Sequence, residues 1–482
     1  MKKNILKVLK IITVIILLLL PLSLISINSE LIVGDELWNF QNITKTINGG
    51  KMYVDCNIII TPIFYLIGYC FVRILTGTIL GFRIYNIFTF LILLLSSFYL
   101  FISLKISKYK SALYTLLIFL FVMPYISVGA NYNILAEIVF ILGVSLFLNK
   151  DKIKLYNFCQ GLVIFACIFT KQNIGIYYSI ALIVAEILVD KNESVHYIIR
   201  EFMVAIICTL ISVLIMCLTG CFEGFLNYSF LGMTDFATKN FSIQNTVEIV
   251  IIGYISIAIC SYILGFLLSI QNNELSKDLR ILGIFSIFLN FAILPIANLY
   301  HTSFAILLNV VIFIYIFENL LFYKLNKKIT LGIIICLAYI AINSYGIICG
   351  YRASKNIKIY NKDNIYFSSN MTKELNEKLK DVTDYINKKE KEGIDVVCIS
   401  ADAPLYMIYM KKDHQQLDLC FNGNLGYNGT QVVIDKIKNL KNTEILINKG
   451  EYWQENEEIK SYVRENSENI GEIKDLSIYK VN

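Results

Sequence analysis

Long apolar runs limit the folds open to this chain. Runs of roughly 20 residues, the length with which an α-helix crosses the hydrocarbon core of a bilayer, recur from residue 10 to residue 350 and then stop. The chain is 56% hydrophobic and only 17% charged, whereas soluble domains carry more charge and interrupt their apolar segments with polar faces. The runs predict a polytopic α-helical membrane protein with a water-soluble segment at its C-terminal end.

Charge predicts how the helices are oriented. Connectors rich in Lys and Arg remain in the cytoplasm, and the richest are 105–110, 150–154, 191–200, 277–280 and 324–328. If residues 57–75 crossed the membrane, all of these connectors would lie on the side opposite the lysine-rich N-terminus. Residues 57–75 are for this reason predicted to form a surface or re-entrant helix. We therefore expect about eleven spans, near residues 10–29, 82–104, 111–128, 132–149, 155–170, 173–190, 200–220, 247–270, 280–298, 303–322 and 330–350.

This topology divides the chain into two predicted domains. Residues 1–351, with a first external loop at 30–76, form the transmembrane domain in the cell membrane, and residues 352–482 form an extracytoplasmic domain. The first domain carries 23 Lys and Arg against 16 Asp and Glu. This excess indicates topology rather than a nucleic-acid partner. The twelve cysteines lie mostly in apolar runs, and no Cys or His spacing indicates a structural metal.

An acidic pair, Asp35 and Glu36, follows the first apolar run. Carboxylates beside hydrocarbon are costly unless they face water, a partner or a substrate. Asp35 suits a general base that takes a proton from an acceptor hydroxyl. Glu36 could orient that acceptor, or both acids could hold a divalent cation such as Mg or Mn. The alternative is that Asp35 caps a short interfacial helix over residues 36–48.

Two basic residues lie at the external ends of later spans. Lys171 in TKQNIG and His301 in LYHTS would stand at headgroup height, where a lipid phosphate could meet them. The structural alternatives are a lysine that snorkels to the interface and a histidine that makes local hydrogen bonds at a helix end.

Weaker candidates for acceptor binding also lie on the external side. Asp55 and Tyr65 belong to the first external loop and the apolar piece that follows it. Glu223 and Asp235 belong to residues 221–246, a segment long enough to act as a mobile lid.

The C-terminal segment alternates helical and strand-like patterns, which predicts a small α/β domain. We expect helices at 372–391, 404–411, 431–440 and 454–465, and strands at 394–400, 444–448 and 473–481. The stretch GNLGYNGT at 423–430 lacks the lysine of a phosphate-binding loop and the spacing of a dinucleotide site, so it is predicted to be a turn.

Several motifs together resemble the GT-C superfamily of membrane glycosyltransferases, and particularly its bacterial, dolichyl-phosphate-mannose-mannosyltransferase-like branch. They are Gly34-Asp35-Glu36, residues 47–55, residues 61–66, Arg83, Lys171-Gln172, Pro295 with His301, and the external α/β tail. The resemblance implies an inverting transferase on the outer face. It also implies a polyprenyl-phosphate-linked sugar as donor and a glycan, lipid or protein as acceptor. Asp35 would then be the base, and Lys171 and His301 would contact the donor phosphate.

Two other functions fit a polytopic protein. A lipid or oligosaccharide flippase would favour charged residues buried within spans, where this chain has few acids, mainly Glu137 and Glu186. A non-catalytic assembly protein would use its tail to bind a partner. The enzyme hypothesis requires Asp35, Lys171 and His301 to meet in one cavity.

Overall fold

The computed structural model describes the larger part of the chain. The described residues are 20–122, 126, 129–189, 194–239, 241–243, 255, 259–260, 262–263, 273–297, 301, 304–320, 357–359, 361–412, 417, 419–450, 452 and 455–481. The predicted span at 330–350 lies outside these residues, as do most of the span at 247–270 and the first half of the span at 10–29.

The membrane part is helical. After helical residues 20–28, its helices are α1 Asp35–Ile47, α2 Ile63–Leu75, α3 Ile79–Ser103, α4 Lys108–Val122, α5 Tyr132–Leu148, α6 Tyr156–Thr170, α7 Gln172–Val189, α8 Ser194–Thr219, α9 Phe222–Leu226, α10 Gly232–Lys239, α11 Asn273–Asn290 and α12 Leu307–Leu320. A π-helical turn, Asn227–Leu231, joins α9 to α10. Short strands β1 (Ser242–Ile243) and β2 (Ile296–Ala297) pair in parallel.

Three described helices, α3, α7 and α8, are long and apolar enough to cross a membrane. Helix α8 leaves apolar side chains exposed along its length, among them Met203, Ile207, Leu210, Leu214 and Leu218. Such a surface is unfavourable in water and suits contact with lipid. On its other side α8 packs closely on α6 at Gly161, where an added Cβ would lie 2.5 Å from the Val204 side chain. Small residues allow this approach between membrane helices.

Helix α1 occupies the predicted position, but its surroundings differ from the prediction. An interfacial helix would expose its polar face, whereas residues 36–45 of α1 are all buried, including Lys45 at 1% exposure. Helix α2 packs against α1 on one side and a C-terminal helix, Ala403–Met410, packs on another. Polar residues of α1 are therefore inside the protein, where they make specific contacts.

Residues 57–75 form an extended stretch followed by α2. Helix α2 has 13 residues, and at 1.5 Å per residue it rises about 20 Å, less than the ~30 Å hydrocarbon core. This length agrees with a surface or re-entrant helix, while the orientation of the chain stays a prediction.

The C-terminal part contains a four-stranded sheet in the order β5-β6-β8-β7. Its elements are β3 Ile357–Lys358, β4 Asn370–Met371, α13 Lys373–Lys391, β5 Asp395–Cys398, α14 Ala403–Met410, α15 Gly429–Lys438, β6 Thr443–Asn448, α16 Glu457–Asn466, β7 Glu468–Ile473 and β8 Leu476–Val481. Strands β5 and β6 are parallel, and β8 is antiparallel to both β6 and β7. Sequence reasoning missed β7, the first strand of the final hairpin.

Hydrogen bonds connect the C-terminal part to the membrane part. Leu31 N–H donates to the Asn370 carbonyl at 2.9 Å, and the Asn370 side chain donates to the Asn28 carbonyl at 2.7 Å. Farther along, the Asn57 side chain donates to the Leu419 carbonyl at 2.9 Å. The chain is therefore held against the C-terminal part at residues 28–31 and again at Asn57.

Candidate active site

A cavity of about 640 Å³ lies where the first external loop meets the C-terminal part. Its walls come from seven places in the chain: the start of α1 with the residues before it, the residues before α2, the first residue of α5, the α6–α7 connector with the start of α7, α10 with Phe241, the segment after α11, and three residues of the C-terminal part. Asp35, Lys171 and His301 all line it. The three residues that the sequence singled out for chemistry therefore share one cavity, as the enzyme hypothesis requires.

Asp35 is the first residue of α1 and faces the cavity. The helix is capped by Gly34, whose φ of 127° belongs to a region that favours glycine. No side chain makes a capping hydrogen bond, so the structure does not show the capping role considered for Asp35. Its side chain is exposed to the cavity, while the surrounding protein limits hydration and raises the pKa of the Asp35 carboxyl. Within the described residues this carboxylate makes no hydrogen bond or ion pair, so it is available to a substrate.

Glu36 points away from the cavity into an ion pair with Arg83. The Arg83 Nε–H donates to Glu36 Oε1 at 3.0 Å, and both side chains are fully buried. The remaining donors of the guanidinium bind Glu36 Oε2 and the loop carbonyls of Ile27, Ser29 and Glu30. Glu36 also accepts a hydrogen bond from the Ile32 N–H at 3.0 Å. The pair thus ties the loop that carries Asp35 to α3, and the structure gives Glu36 no contact with the cavity.

Lys171 lies between α6 and α7, where the chain leaves its helical conformation for one residue. Its ammonium donates to the Asn133 side chain and lies 5.6 Å from the centre of the Tyr132 ring. Burial lowers the pKa of Lys171 to about 8, because a low-polarity environment disfavours the charged form. Lys171 remains mostly protonated at neutral pH and offers its charge to the cavity.

His301 is placed beside Lys171. Burial, and then the positive charge of Lys171, lower the pKa of His301 to about 3. The imidazole is therefore neutral in the empty cavity at physiological pH. An anion bound between the two side chains would oppose both effects and favour the imidazolium.

The two residues that follow Lys171, Gln172 and Asn173, connect the cavity walls by hydrogen bonds. Gln172 Nε2 donates to the carbonyls of Ile59 at 3.0 Å and Ser229 at 2.8 Å. Asn173 Nδ2 donates to the Leu294 carbonyl at 3.1 Å. Sequence reasoning gave these amides no role, although two amides at the start of an otherwise apolar helix were a visible signal.

The C-terminal part supplies one wall through Phe421, Asn424 and Tyr452. The Phe421 and Tyr452 rings stack with centroids 5.7 Å apart. A Cβ at Gly34 would lie 3.8 Å from the Tyr452 hydroxyl oxygen, so this side chain lies beside the start of α1. Burial, and then the nearby Asp35, raise the pKa of the Tyr452 hydroxyl. A third aromatic residue, Trp38, follows Asp35 by one helical turn and also lines the cavity.

The stretch GNLGYNGT turns as predicted and brings Asn424 into the wall. Gly423 has a φ of 82°, and a Cβ there would lie 2.4 Å from the backbone of Phe236 in α10. The Tyr427 N–H donates to the Asn227 side chain at 3.0 Å. The glycine therefore permits a close contact between the C-terminal turn and the helix that covers the cavity.

The predicted lid at residues 221–246 is helical from α9 to α10 and then forms the short strand β1. Met233, Phe236, Ala237 and Phe241 from this segment line the cavity, so the segment forms part of its wall. Its mobility stays a prediction. Glu223 and Asp235 are not among the lining residues. Glu223 is exposed, and its neighbours Phe222 and Phe225 pack inward instead.

Asp55 and Tyr65 also lie outside the cavity. The Asp55 carboxylate accepts a hydrogen bond from the Lys51 N–H at 2.6 Å and stabilises the turn after α1. Tyr65 is fully buried and donates to the Asn39 side chain at 2.9 Å. The structure gives both residues local roles in packing the loop.

A divalent cation held by Asp35 and Glu36 does not fit the observed contacts. Both Glu36 oxygens are occupied by Arg83 and the Ile32 N–H. Among the residues that the structure describes, Asp35 is then the one carboxylate that lines the cavity. In the part of the chain that the structure describes, no three His, Cys, Asp or Glu side chains are grouped as metal ligands.

No protein-family model matches the chain, and no curated protein matches its sequence. Two solved structures are similar in fold. ArnT from Cupriavidus metallidurans, solved with undecaprenyl phosphate bound, has a TM-score of 0.58 at 10% identity, with 98% of this chain and 97% of ArnT covered. The Archaeoglobus fulgidus oligosaccharyltransferase, solved with zinc and sulfate, has a TM-score of 0.50 at 9% identity, with 90% of this chain and 67% of that chain covered. These likenesses show that this chain shares the overall fold of those two proteins.

Proposed function

We propose that this protein is a membrane glycosyltransferase. It moves a sugar from a polyprenyl-phosphate donor to a glycan, lipid or protein acceptor, with Asp35 as general base. The observation that carries the proposal is the placement of Asp35, Lys171 and His301 in one cavity. This reaction needs two charged groups: a carboxylate that can take a proton from an alcohol, and a cation that can bind the phosphate.

The donor phosphate binds between Lys171 and His301. Lysine supplies a point charge, and its hydrogen bond to Asn133 fixes the ammonium at the cavity wall. When the bond between the anomeric carbon and the phosphate oxygen breaks, the phosphate gains a second negative charge. A cation in a partly desolvated cavity stabilises that charge more strongly than water does. The undecaprenyl phosphate bound to the structurally similar ArnT supports a lipid phosphate as ligand.

The acceptor hydroxyl binds at Asp35. The carboxylate takes the hydroxyl proton while the acceptor oxygen attacks the anomeric carbon and the lipid phosphate leaves from the opposite side. One carbon–oxygen bond forms and one breaks, so the configuration at the anomeric carbon inverts. Burial raises the pKa of Asp35 towards neutral pH. Asp35 is therefore a stronger base than an ordinary aspartate, which favours proton transfer.

Glu36 acts on the reaction through structure. Its pair with Arg83 fixes the loop from Ile27 to Ile32, and this loop continues into Gly34 and Asp35. Precise placement of a base matters because small displacements cost large factors in rate. Glu36 is therefore a positioning residue, and Asp35 is the catalytic carboxylate.

The same proposal assigns a direction in the membrane. The cavity opens on the outer face, the N-terminus is cytoplasmic, and about eleven helices place residues 352–482 outside the cell. The donor then comes from the bilayer as a polyprenyl-phosphate sugar, as in the dolichyl-phosphate-mannose-like branch that the sequence resembles.

The proposal is tested by Asp35→Asn, which keeps the shape of the side chain and removes the base. Surface glycans and lipid carriers are compared by mass spectrometry in cells that carry the wild-type protein, the variant or neither. We expect the sugar product to appear with the wild type and to vanish with Asp35→Asn at equal protein levels.

Glu223→Gln serves as a matched control because Glu223 is exposed and lies outside the cavity. We expect the control to behave as wild type. Full product with Asp35→Asn would remove Asp35 as the base. Movement of an unchanged lipid-linked sugar across the membrane would favour a flippase instead.

A further inference from the structure

Glu137 is a buried acid that the proposed reaction does not yet use. It lies on α5, one helical turn after Asn133, the partner of Lys171. Glu137 is 1% exposed, and neither carboxylate oxygen has a hydrogen-bond partner in the described residues. A buried carboxylate without a donor is strongly unfavourable, so the neutral acid is the stable form here. Ionisable groups at such positions in membrane helices are usually functional.

A second, smaller cavity joins Glu137 to the site. It measures about 10 Å³, and Glu137, Asn133 and His301 are among its lining residues. This is about the smallest volume that accommodates one water molecule. His301 also lines the main cavity, so it borders both the cavity that holds Glu137 and the proposed phosphate site.

The charges of the empty and occupied site differ. With no ligand, Lys171 is the cation and His301 is neutral, because burial and Lys171 lower its pKa to about 3. A phosphate monoester carries about −1.5 to −2 charges at neutral pH. Lys171 alone would leave roughly one of these charges unpaired in a partly buried cavity, which is costly.

We propose that Glu137 supplies His301 with a proton when the phosphate charge develops. The O–H bond of the Glu137 carboxyl breaks and an N–H bond forms on the imidazole, directly or through one water in the small cavity. The resulting imidazolium pairs with the phosphate on one side and with the Glu137 carboxylate on the other. This inference rests on the proposed function, since it assumes a phosphate at Lys171 and His301.

Other titratable groups around the two cavities are Asp35, Tyr132, Lys171, Tyr177 and Tyr452. These groups are the same in the wild type and in the Glu137 variants. Their contributions to the pH dependence of binding therefore cancel in the ratio of the two dissociation constants. On the neighbouring elements, Arg83 is paired with Glu36, and Glu186 is paired with Lys150 at the other end of α7.

The test measures the dissociation constant of undecaprenyl phosphate for the purified, detergent-solubilised protein between pH 5.5 and 7.5. In the wild type the proton for His301 comes from Glu137, whereas in Glu137→Gln it must come from solution. The ratio of the dissociation constants, variant over wild type, should therefore rise about tenfold per pH unit, the slope for one additional bound proton. Glu137→Asp, which keeps the acid, should lie closer to the wild type.

Two further variants make the result specific. In a His301→Gln background, the change of Glu137 to Gln should leave the dissociation constant unaltered at every pH. Glu201→Gln is the matched control, because Glu201 is a buried acid on α8 whose oxygens also lack partners in the described residues, and it is absent from the lining of both cavities.

The possible failures are distinguishable. A pH-independent ratio, with wild-type binding that is lost in Lys171→Ala, overturns the role of Glu137 and leaves the proposed donor site intact. An absence of undecaprenyl phosphate binding to the wild type overturns both proposals. A pH-dependent ratio that persists without His301 shows that Glu137 does not act through the imidazole, and also overturns the inference.

Discussion

The ion pair between Arg83 and Glu36 gives a prediction about stability that does not depend on the identity of the substrate. Glu36→Gln keeps the size and one acceptor oxygen of the side chain and removes its charge. Arg83 would then remain fully buried with its positive charge balanced only by backbone carbonyls. We therefore expect Glu36→Gln to destabilise the protein strongly.

The magnitude follows from burial. Exposed ion pairs contribute about 0–1 kcal/mol, but removal of one partner from a buried pair costs about 3–5 kcal/mol, because the remaining charge is left uncompensated. The side chains of Arg83 and Glu36 are both 0% exposed, so the larger range applies. High salt should change this cost little, since ions screen buried charges weakly.

The assay is heat treatment of the detergent-purified protein, followed by size-exclusion chromatography of the surviving monodisperse fraction. Glu36→Gln should lose this fraction at a clearly lower temperature than the wild type. Arg83→Met combined with Glu36→Gln leaves no uncompensated charge and should be more stable than Glu36→Gln alone. Equal stability of Glu36→Gln and wild type, or additive losses in the double variant, would refute the idea that the two residues act as a pair.

Two predictions concern the cavity. Transfer activity, measured as kcat/KM, should rise with pH as Asp35 ionises. This rise should occur at a higher pH than for an ordinary aspartate, because the pKa of Asp35 is raised. The activity should fall again as Lys171 loses its proton near its pKa of about 8. Lys171→Arg should remove the alkaline fall, because arginine stays charged, and an unchanged fall would assign it to another group. Gly423→Ala should lower thermal stability and activity, since its φ is 82° and its Cβ would meet the Phe236 backbone at 2.4 Å. Gly393→Ala is the control, because Gly393 has a φ of 78° and no atom lies within 4 Å of the added Cβ. It should cost only the backbone strain of about 1–2 kcal/mol. An equal loss of stability in both variants would contradict the proposed contact between Gly423 and Phe236.

Local patterns predicted much of the secondary structure. The helix predicted at 372–391 is observed as Lys373–Lys391, where the Thr372 side chain accepts a hydrogen bond from the Leu375 N–H at 3.1 Å and caps the first turn. Strand β7 was missed because ENIGEI lacks a strong strand composition and contains Gly471 at a bulge. Its pairing with β8 supplies the stability that its own sequence does not indicate.

The candidate site was predicted in part. Charge and position at the ends of apolar runs were enough to select Asp35, Lys171 and His301. The role of Glu36 could not be read in the same way, because its partner Arg83 is 47 residues away and local pattern does not indicate such pairs. For the same reason sequence reasoning gave no sign that Phe421 and Tyr452 would line the same cavity as Asp35.

The wall formed by Phe421, Asn424 and Tyr452 has a consequence for biosynthesis. These residues are translated after all the helices of the membrane part, so a ribosome-bound chain that has already inserted those helices still lacks one side of its cavity. The cavity is therefore complete only after the last segment has left the ribosome and docked. A premature stop codon before residue 421 would yield an inserted protein with a permanently open site.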